Sequence, residues 1–293
     1  MNTLRIAACE YPVERVTSFA AWKEKLTTLC QSAASAGATL LVFPEYAAVE
    51  LTALLTDAGR QDLSGSLRAL QPFRDDFLAA HQSLAQSLGV TILAGSFPWE
   101  VDGRFVNRAW LCTPDGRTRF QDKLIMTRFE REEWFVTGAR ELKVFDIPGA
   151  KVGILICYDS EFPLLARQLC EAGADILLVP SCTDTEAGYH RVMLSCRARA
   201  LEQQCFAVQA PLSGTAPWSP AIDINTGRAG VFCPVDRGFA PDGVLAMGAP
   251  AATAPWLIAD LPLAALAAVR RDGQVRNFAD WPEQHGISIS PCP

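Results

Sequence analysis

The sequence predicts an α/β fold in one domain, with two sheets stacked face to face and helices outside them. Three observations carry this: short apolar runs alternate with amphipathic stretches, one β-α-β phrase occurs twice, and no linker-like run divides the chain. Residues 4–9 make an apolar run of strand length. Residues 19–36 place Ala20, Trp22, Leu26, Leu29 and Ala33 at roughly helical spacing before Gly37 stops the helix. Residues 39–43 are then continuously apolar and closed by Pro44, the pattern of a strand covered on both faces. The phrase AGATLLVFPE at 36–45 returns without gaps as AGADILLVPS at 172–181, with five of ten positions identical. Its second copy also follows a helix, begun by Pro163, and an apolar strand at 151–156. Two similar β-α-β halves explain the recurrence; the alternative is that helix, glycine, apolar strand and proline form a common α/β phrase.

Between the halves, the pattern predicts a helix at 72–88 and a strand at 91–97. The turn dipeptides Asp102-Gly103 and Asp115-Gly116 predict antiparallel strands beside the parallel centre. Beyond Ser181 a helix is expected at 189–203, then short strands near 206–210, 230–233 and 256–260. The domain spans residues 1–293, with its core at about 4–262 and a C-terminal tail at 263–293.

The 293 residues are 49% apolar and 20% charged, enough hydrocarbon for a sizeable core. A net charge of −6 without a Lys/Arg block argues against a nucleic-acid or anionic-membrane partner and leaves a small molecule. The N-terminus lacks the features of a signal peptide, and no apolar run approaches the roughly 20 residues of a membrane span, so a cytoplasmic protein is expected. Ten cysteines are scattered with no C-x-x-C pair, which spells out neither a zinc nor a dithiol motif; most are expected in the core. No metal or other cofactor is expected.

Three segments can carry chemistry. Cys157 ends the strand at 151–156 just before a polar turn, where the amide of Tyr158 is a candidate oxyanion donor; a packed cysteine is the plainer alternative. Glu45 stands immediately past a buried strand, at the end where open α/β sheets build sites, although a charge there also simply marks arrival at solvent. Lys123 sits amid apolar residues on an expected strand, where it either snorkels to water or points inward to an anion. A thiol is activated by a nearby cation or by a base that takes its proton, and Lys123 and Glu45 offer one each. None of the three histidines, His81, His190 and His285, occupies an obvious strand-end site, so a Cys–His pair is the weaker option.

Taken together, Phe43-Pro44-Glu45, Lys123, Ile156-Cys157-Tyr158-Asp159 and the 173–181 region resemble the nitrilase superfamily of carbon–nitrogen hydrolases across essentially the whole chain. The segments 123–134 and 157–163 look like a subgroup sometimes fused to an acetyltransferase domain, which is not expected here because the hydrolase begins near residue 4. The resemblance implies a four-layer α-β-β-α sandwich with mixed sheets that pairs into a homodimer or larger homo-oligomer. It implies that Cys157 attacks an amide or nitrile carbon, that Glu45 is the general base, and that Lys123 and the Tyr158 amide stabilise the oxyanion.

Relatives also place a second glutamate between lysine and nucleophile. Glu130, Glu132 and Glu133 compete for that role, and the spacing from Glu133 to Gly138 favours Glu133, with Glu130 in reserve. Ser181, Cys182 and Thr183 are expected to line the pocket, with Tyr46 also in reach. Glu161 stands where many relatives carry arginine. On the helix at 189–203, Arg191, Arg197 and Arg199 suggest a dimer surface or a solvated face. Acyl transfer from the same thioester and a non-catalytic binding role are the competing functions.

Overall fold

The computed structural model describes residues 3–249 and 254–291. Strand β1 (Thr3–Cys9) leads to helix α1 (Phe19–Ser35), whose first turn is capped by Ser18 accepting the amide of Ala21. Strand β2 (Leu40–Val42) follows, then helix α2 (Arg74–Leu88) and strands β3 (Thr91–Val101), β4 (Arg104–Cys112) and β5 (Thr118–Asp122). The second half comprises β6 (Val144–Ile147), β7 (Ala150–Ile154), α3 (Pro163–Glu171), β8 (Ile176–Ser181), α4 (Glu186–Gln203) and β9 (Phe206–Thr215). Strands β10 (Gly230–Phe232), β11 (Val244–Met247) and β12 (Trp256–Pro262) precede helix α5 (Leu263–Asp272), so the stretch expected to be a tail begins as a helix.

One sheet runs β12-β1-β2-β3-β4-β5, with the short strand Val136–Thr137 beside β4. The other runs β11-β10-β9-β8-β7-β6, with Tyr11–Pro12 and Ile224–Asn225 on β9. The chain thus leaves β1 at Cys9 and joins the second sheet two residues later, which ties the sheets together. Both are mixed: β1, β2 and β3 are parallel, as are β7, β8 and β9, and the outer strands are antiparallel.

The repeated phrase occupies the same place in each sheet. Ile6 faces Leu40 across β1 and β2 as Val152 faces Ile176 across β7 and β8. The amide of Thr39 donates to Arg5 O at 2.9 Å, and that of Asp175 to Lys151 O at 2.9 Å. Matching register and matching entry bonds place the two copies of the phrase alike, each as the second strand of a parallel β-α-β unit.

Alternation along the strands sorts the core into layers. Leu4, Ile6, Ala8, Leu40 and Val42 join the cluster that contains the second sheet, while Ala7, Leu41 and Phe43 pack outward with Trp22, Leu26 and Phe77 of α1 and α2. Each such large apolar side chain contributes about 1.5–3 kcal/mol by leaving water. Leu169 of α3 and Cys196 and Ala200 of α4 close the other face, completing an α-β-β-α sandwich. Nine described cysteines are free; eight are buried, Cys182 is half-buried, and Cys292 lies outside the described residues. Among the described residues no helix is long and apolar enough to cross a membrane.

Candidate active site

Two strand ends meet at the site, each followed by a left-handed residue. Beyond β2 the chain passes Phe43 and Pro44 to Glu45, and Tyr46 then takes φ 57°. Beyond β7 it reaches Ile156, and Cys157 takes φ 49° as it enters the 3-10 turn Cys157–Glu161. Such a conformation costs a non-glycine residue roughly 1–3 kcal/mol and persists only where the surroundings enforce it. At Tyr46 they do: its amide donates to Ser96 Oγ at 2.9 Å, and the Ser96 amide donates to Pro44 O at 3.2 Å. Gly95, at φ 71°, makes that approach possible, since a Cβ there would overlap the Pro44 carbonyl oxygen.

Lys123 is one residue past the end of β5, so the strand expected through it stops earlier. Its amide donates to Asn107 O at 2.9 Å, and its side chain turns inward to 1% exposure. The ammonium donates to Glu45 Oε1 at 2.8 Å and to Glu130 Oε2 at 2.6 Å. Two carboxylates around one cation answer the inward alternative for this lysine: a charge so buried is tolerated only when paired.

The second glutamate in this cluster is Glu130, and the assignment to Glu133 is corrected: Glu133 is exposed. The physical reason is a capping box. Thr127 Oγ1 accepts the Glu130 amide at 3.3 Å, while Glu130 Oε2 accepts the Thr127 amide at 2.9 Å and hydroxyl at 2.8 Å, drawing this carboxylate back toward Lys123. The helix Arg128–Glu132 ends before Glu133 is reached. The T-x-x-E pattern was the available signal.

Asn107 was not anticipated. It projects from the buried face of β4, and Nδ2 donates to Glu45 Oε1 at 2.8 Å and to Glu130 Oε1 at 3.2 Å. A lone amide on the buried face of a strand was the readable hint. Tyr46 donates its hydroxyl to Glu130 Oε1 at 2.7 Å. Asp159, two residues past the nucleophile candidate, accepts the amides of Leu124 at 3.1 Å and Ile125 at 2.8 Å, pinning the Lys123 segment to the turn that carries Cys157.

Cys182 sits between thiol and carboxylate. Cys157 Sγ donates to Cys182 O at 3.8 Å, and the Cys182 amide donates to Glu45 Oε2 at 3.0 Å. Thr183 lines the same cavity, and its hydroxyl donates to Thr226 O at 2.6 Å. Ser181 does not line it: fully buried at the end of β8, its Oγ has no partner among the described residues. Of the three residues expected to line the cavity, Cys182 and Thr183 do so and Ser181 does not. The cavity, about 370 Å³ in volume, is walled by Tyr46, Phe129, Trp134, Tyr158, Thr183 and Val192, a size suited to a small ligand.

The charges are differentiated. Burial pushes the Glu45 carboxyl above its usual range; Lys123 opposes the rise and the Glu130 charge adds to it. Burial acts the same way on Glu130, but Lys123, Tyr46 and the Thr127 amide together hold it below its usual range. Burial disfavours the Lys123 ammonium, yet Glu130 and Glu45 overcome this and keep it charged. Burial and the Glu45 charge push the Cys157 thiol well up against the pull of Lys123, so the resting sulfur keeps its proton. Asp159 is raised to about 7 by burial. The arrangement thus presents a protonated thiol, a carboxylate with raised proton affinity, and a fixed cation. Among the described residues no cluster of three or more His, Cys, Asp or Glu is disposed to hold a metal ion.

His81 is buried among Trp22, Phe43 and Phe77, its Nδ1 2.9 Å from Phe77 O, and burial lowers it to about 4. The arginines expected on one face of α4 have separate surroundings. Arg191 lines the cavity, Arg197 bonds Asp242 O, and Arg199 is buried, with Nη1 3.2 Å from Ser160 O.

Residues 5–271 match the carbon-nitrogen hydrolase family. A probable hydrolase of Bacillus subtilis, YhcX, is 32% identical over 277 residues, which cover 94% of this chain and 53% of that one. The deaminated glutathione amidase of Mus musculus is 30% identical over 227 residues, covering 71% and 66%. The chain thus spans about half to two thirds of these relatives. Among solved structures, Saccharomyces cerevisiae Nit3, a member of branch 10 of the nitrilase superfamily, shares the fold with a TM-score of 0.68 at 19% identity, over 92% of this chain and 93% of that one.

Proposed function

The chain belongs to the carbon-nitrogen hydrolase family, and we propose that it hydrolyses the C–N bond of a small carboxamide through a thioester on Cys157. The observation that supports this most is the buried Lys123 ammonium, clasped by Glu45 and Glu130 at the base of a cavity that Cys157 also lines. In this reading Glu45 accepts the Sγ proton as sulfur bonds to the amide carbon. The oxyanion that forms is stabilised by Lys123 and the Tyr158 amide. Glu45 then returns the proton to the departing nitrogen, ammonia leaves, and the same carboxylate takes a proton from the water that attacks the thioester. The acid departs as Cys157 recovers its proton. Glu130 keeps Lys123 charged and in place, and Tyr46 and Thr183 shape the acyl site.

The names of the relatives, a probable hydrolase and an amidase, agree with amide chemistry. The segments 123–134 and 157–163 further suggest the subgroup sometimes fused to an acetyltransferase domain. The proposal is completed by a single hydrolase domain over 1–293 acting in the cytoplasm, as a homodimer or larger homo-oligomer. Exposed Leu164 on α3 and Leu194 and Leu201 on α4 supply apolar surface for such pairing, which light scattering tests.

The decisive experiment incubates the protein with a panel of amides, carbamoyl compounds and nitriles, without an acceptor amine, and follows ammonia release and intact mass. An acyl adduct on Cys157 that decays with ammonia and acid as products, and is lost in Cys157→Ala, supports hydrolysis. An adduct that persists until an amine is supplied indicates acyl transfer instead. Tight binding with no adduct indicates a binding protein.

A further inference from the structure

Glu161 is the last residue of the 3-10 turn that begins at Cys157, and it lines the same cavity. A 3-10 helix rises about 2 Å per residue, so its Cα stands roughly 8 Å along the turn from that of the nucleophile. The carboxylate is only 21% exposed, and its ion-pair partner, Arg191 Nε, is 3.6 Å away, longer than an ordinary hydrogen bond. Burial pushes this carboxyl up, and Arg191 offsets the rise only in part.

The other charges on the cavity wall set the sign of ligand it can accept. Five carboxylates, Glu45, Glu130, Glu161, Asp184 and Asp223, face three cations, Lys123, Arg128 and Arg191. Lys123 is taken by Glu45 and Glu130, Arg128 Nε bonds Glu132 at 2.7 Å, and Arg191 is shared with Glu161. Among the described lining residues no cation is left without a carboxylate partner, whereas Asp184 and Asp223 have no ion pair and stand exposed.

Resting on the hydrolase reading, we propose that Glu161 selects amides whose acyl chain ends in an ammonium or similar cation, held a few methylene lengths from the carbonyl that Cys157 attacks. An ammonium approaching Glu161 replaces the long contact to Arg191 with a short charge-assisted bond, and Arg191 swings toward solvent, where it is already 62% exposed. A carboxylate at the same place meets Glu161 and the acidic rim.

The test uses three amides of similar length: 5-aminopentanamide, hexanamide and 4-carbamoylbutanoate. Ammonia release is expected to give 5-aminopentanamide a kcat/KM roughly tenfold above hexanamide, equivalent to about 1.4 kcal/mol, with 4-carbamoylbutanoate lowest. In Glu161→Gln the ratio of the first two is expected to fall to about one, through KM rather than kcat, and Glu161→Arg is expected to invert the order of the charged pair. Equal kcat/KM for all three, preference for the anion, or a Glu161→Gln variant that slows every amide by one common factor overturns the selection. If Cys157 is acylated by hexanamide but charge makes no difference, only the selection fails. If none of the three acylates Cys157 but another amide of the wider panel does, the selection fails and the hydrolase reading stands; if nothing in the panel acylates it, the hydrolase reading fails as well.

Discussion

At the scale of single residues, the site depends on unequal treatment of two carboxylates that share one ammonium. Glu130 receives a phenol, a backbone amide and Lys123, which stabilise its charge; Glu45 receives Lys123, Asn107 and the Cys182 amide, but burial and the neighbouring Glu130 charge outweigh them, and its proton affinity rises. A raised carboxyl suits a base that must hold a proton and give it up again. Glu45→Gln is therefore expected to lower kcat by about 10²–10⁴ while the protein stays folded, measured by ammonia release alongside circular dichroism. The sign of the pH response follows. Glu45 has to be ionised to accept the thiol proton, so activity is lost as pH falls, and the shift in its folded-state pKa places that loss above the ordinary glutamate value of about 4.3. A kcat/KM profile whose acid limb lies at or below that value would contradict the assignment. Removing the cation is worse for the fold: Lys123→Ala leaves two buried carboxylates uncompensated and is expected to destabilise by about 3–5 kcal/mol in urea unfolding.

At the scale of elements, aim comes from turns rather than from regular structure. β2 and β7 deliver Glu45 and Cys157 to the same region, but the left-handed Tyr46 and Cys157 set where these side chains point. Gly95 is the clearest dependence, because its bulge lets β3 approach the Pro44 carbonyl and Ser96 grip the Tyr46 amide. Gly95→Ala is expected to cost at least about 1–3 kcal/mol of stability and to depress kcat, read from thermal melts and ammonia release. Asp159 joins the Lys123 segment to the turn that carries Cys157, so Asp159→Ala should cut kcat more than KM; an unchanged kcat would mean the segment is held without it. Two differences from the expected pattern belong here. β5 ends at Asp122, although the Lys123 amide still bonds Asn107 O in line with the ladder while its side chain turns in to the carboxylates, and the helix after Thr127 ends at Glu132, leaving Glu133 exposed.

At the scale of the whole molecule, the stacked sheets bring to a common cleft a carboxylate that follows the second strand of one β-α-β unit and a thiol that follows the first strand of the other. Tyr11–Pro12, paired to β9, ties one half to the other. Burial then sorts the cysteines. Cys157 and Cys182 line the cavity, and the other seven described cysteines are all in the core. Brief exposure of the folded protein to N-ethylmaleimide, followed by peptide mapping, should label Cys157 and Cys182 ahead of those seven. First labelling of Cys9 or Cys196 would mean that the layers open more readily than their packing implies.

The linear order of residues was enough to establish the layered α/β class, the repeated phrase, and the three candidates Glu45, Lys123 and Cys157, because hydrophobic period, proline and glycine placement and strand-end position are local properties. The choice of Glu130 over Glu133, the part played by Asn107, the withdrawal of Ser181 from the cavity and the pairing of Glu161 with Arg191 had to await the fold. Each depends on which way one side chain turns at the end of an element and on which charge from a distant segment it meets there. Both are settled by how segments distant along the chain come together in the fold.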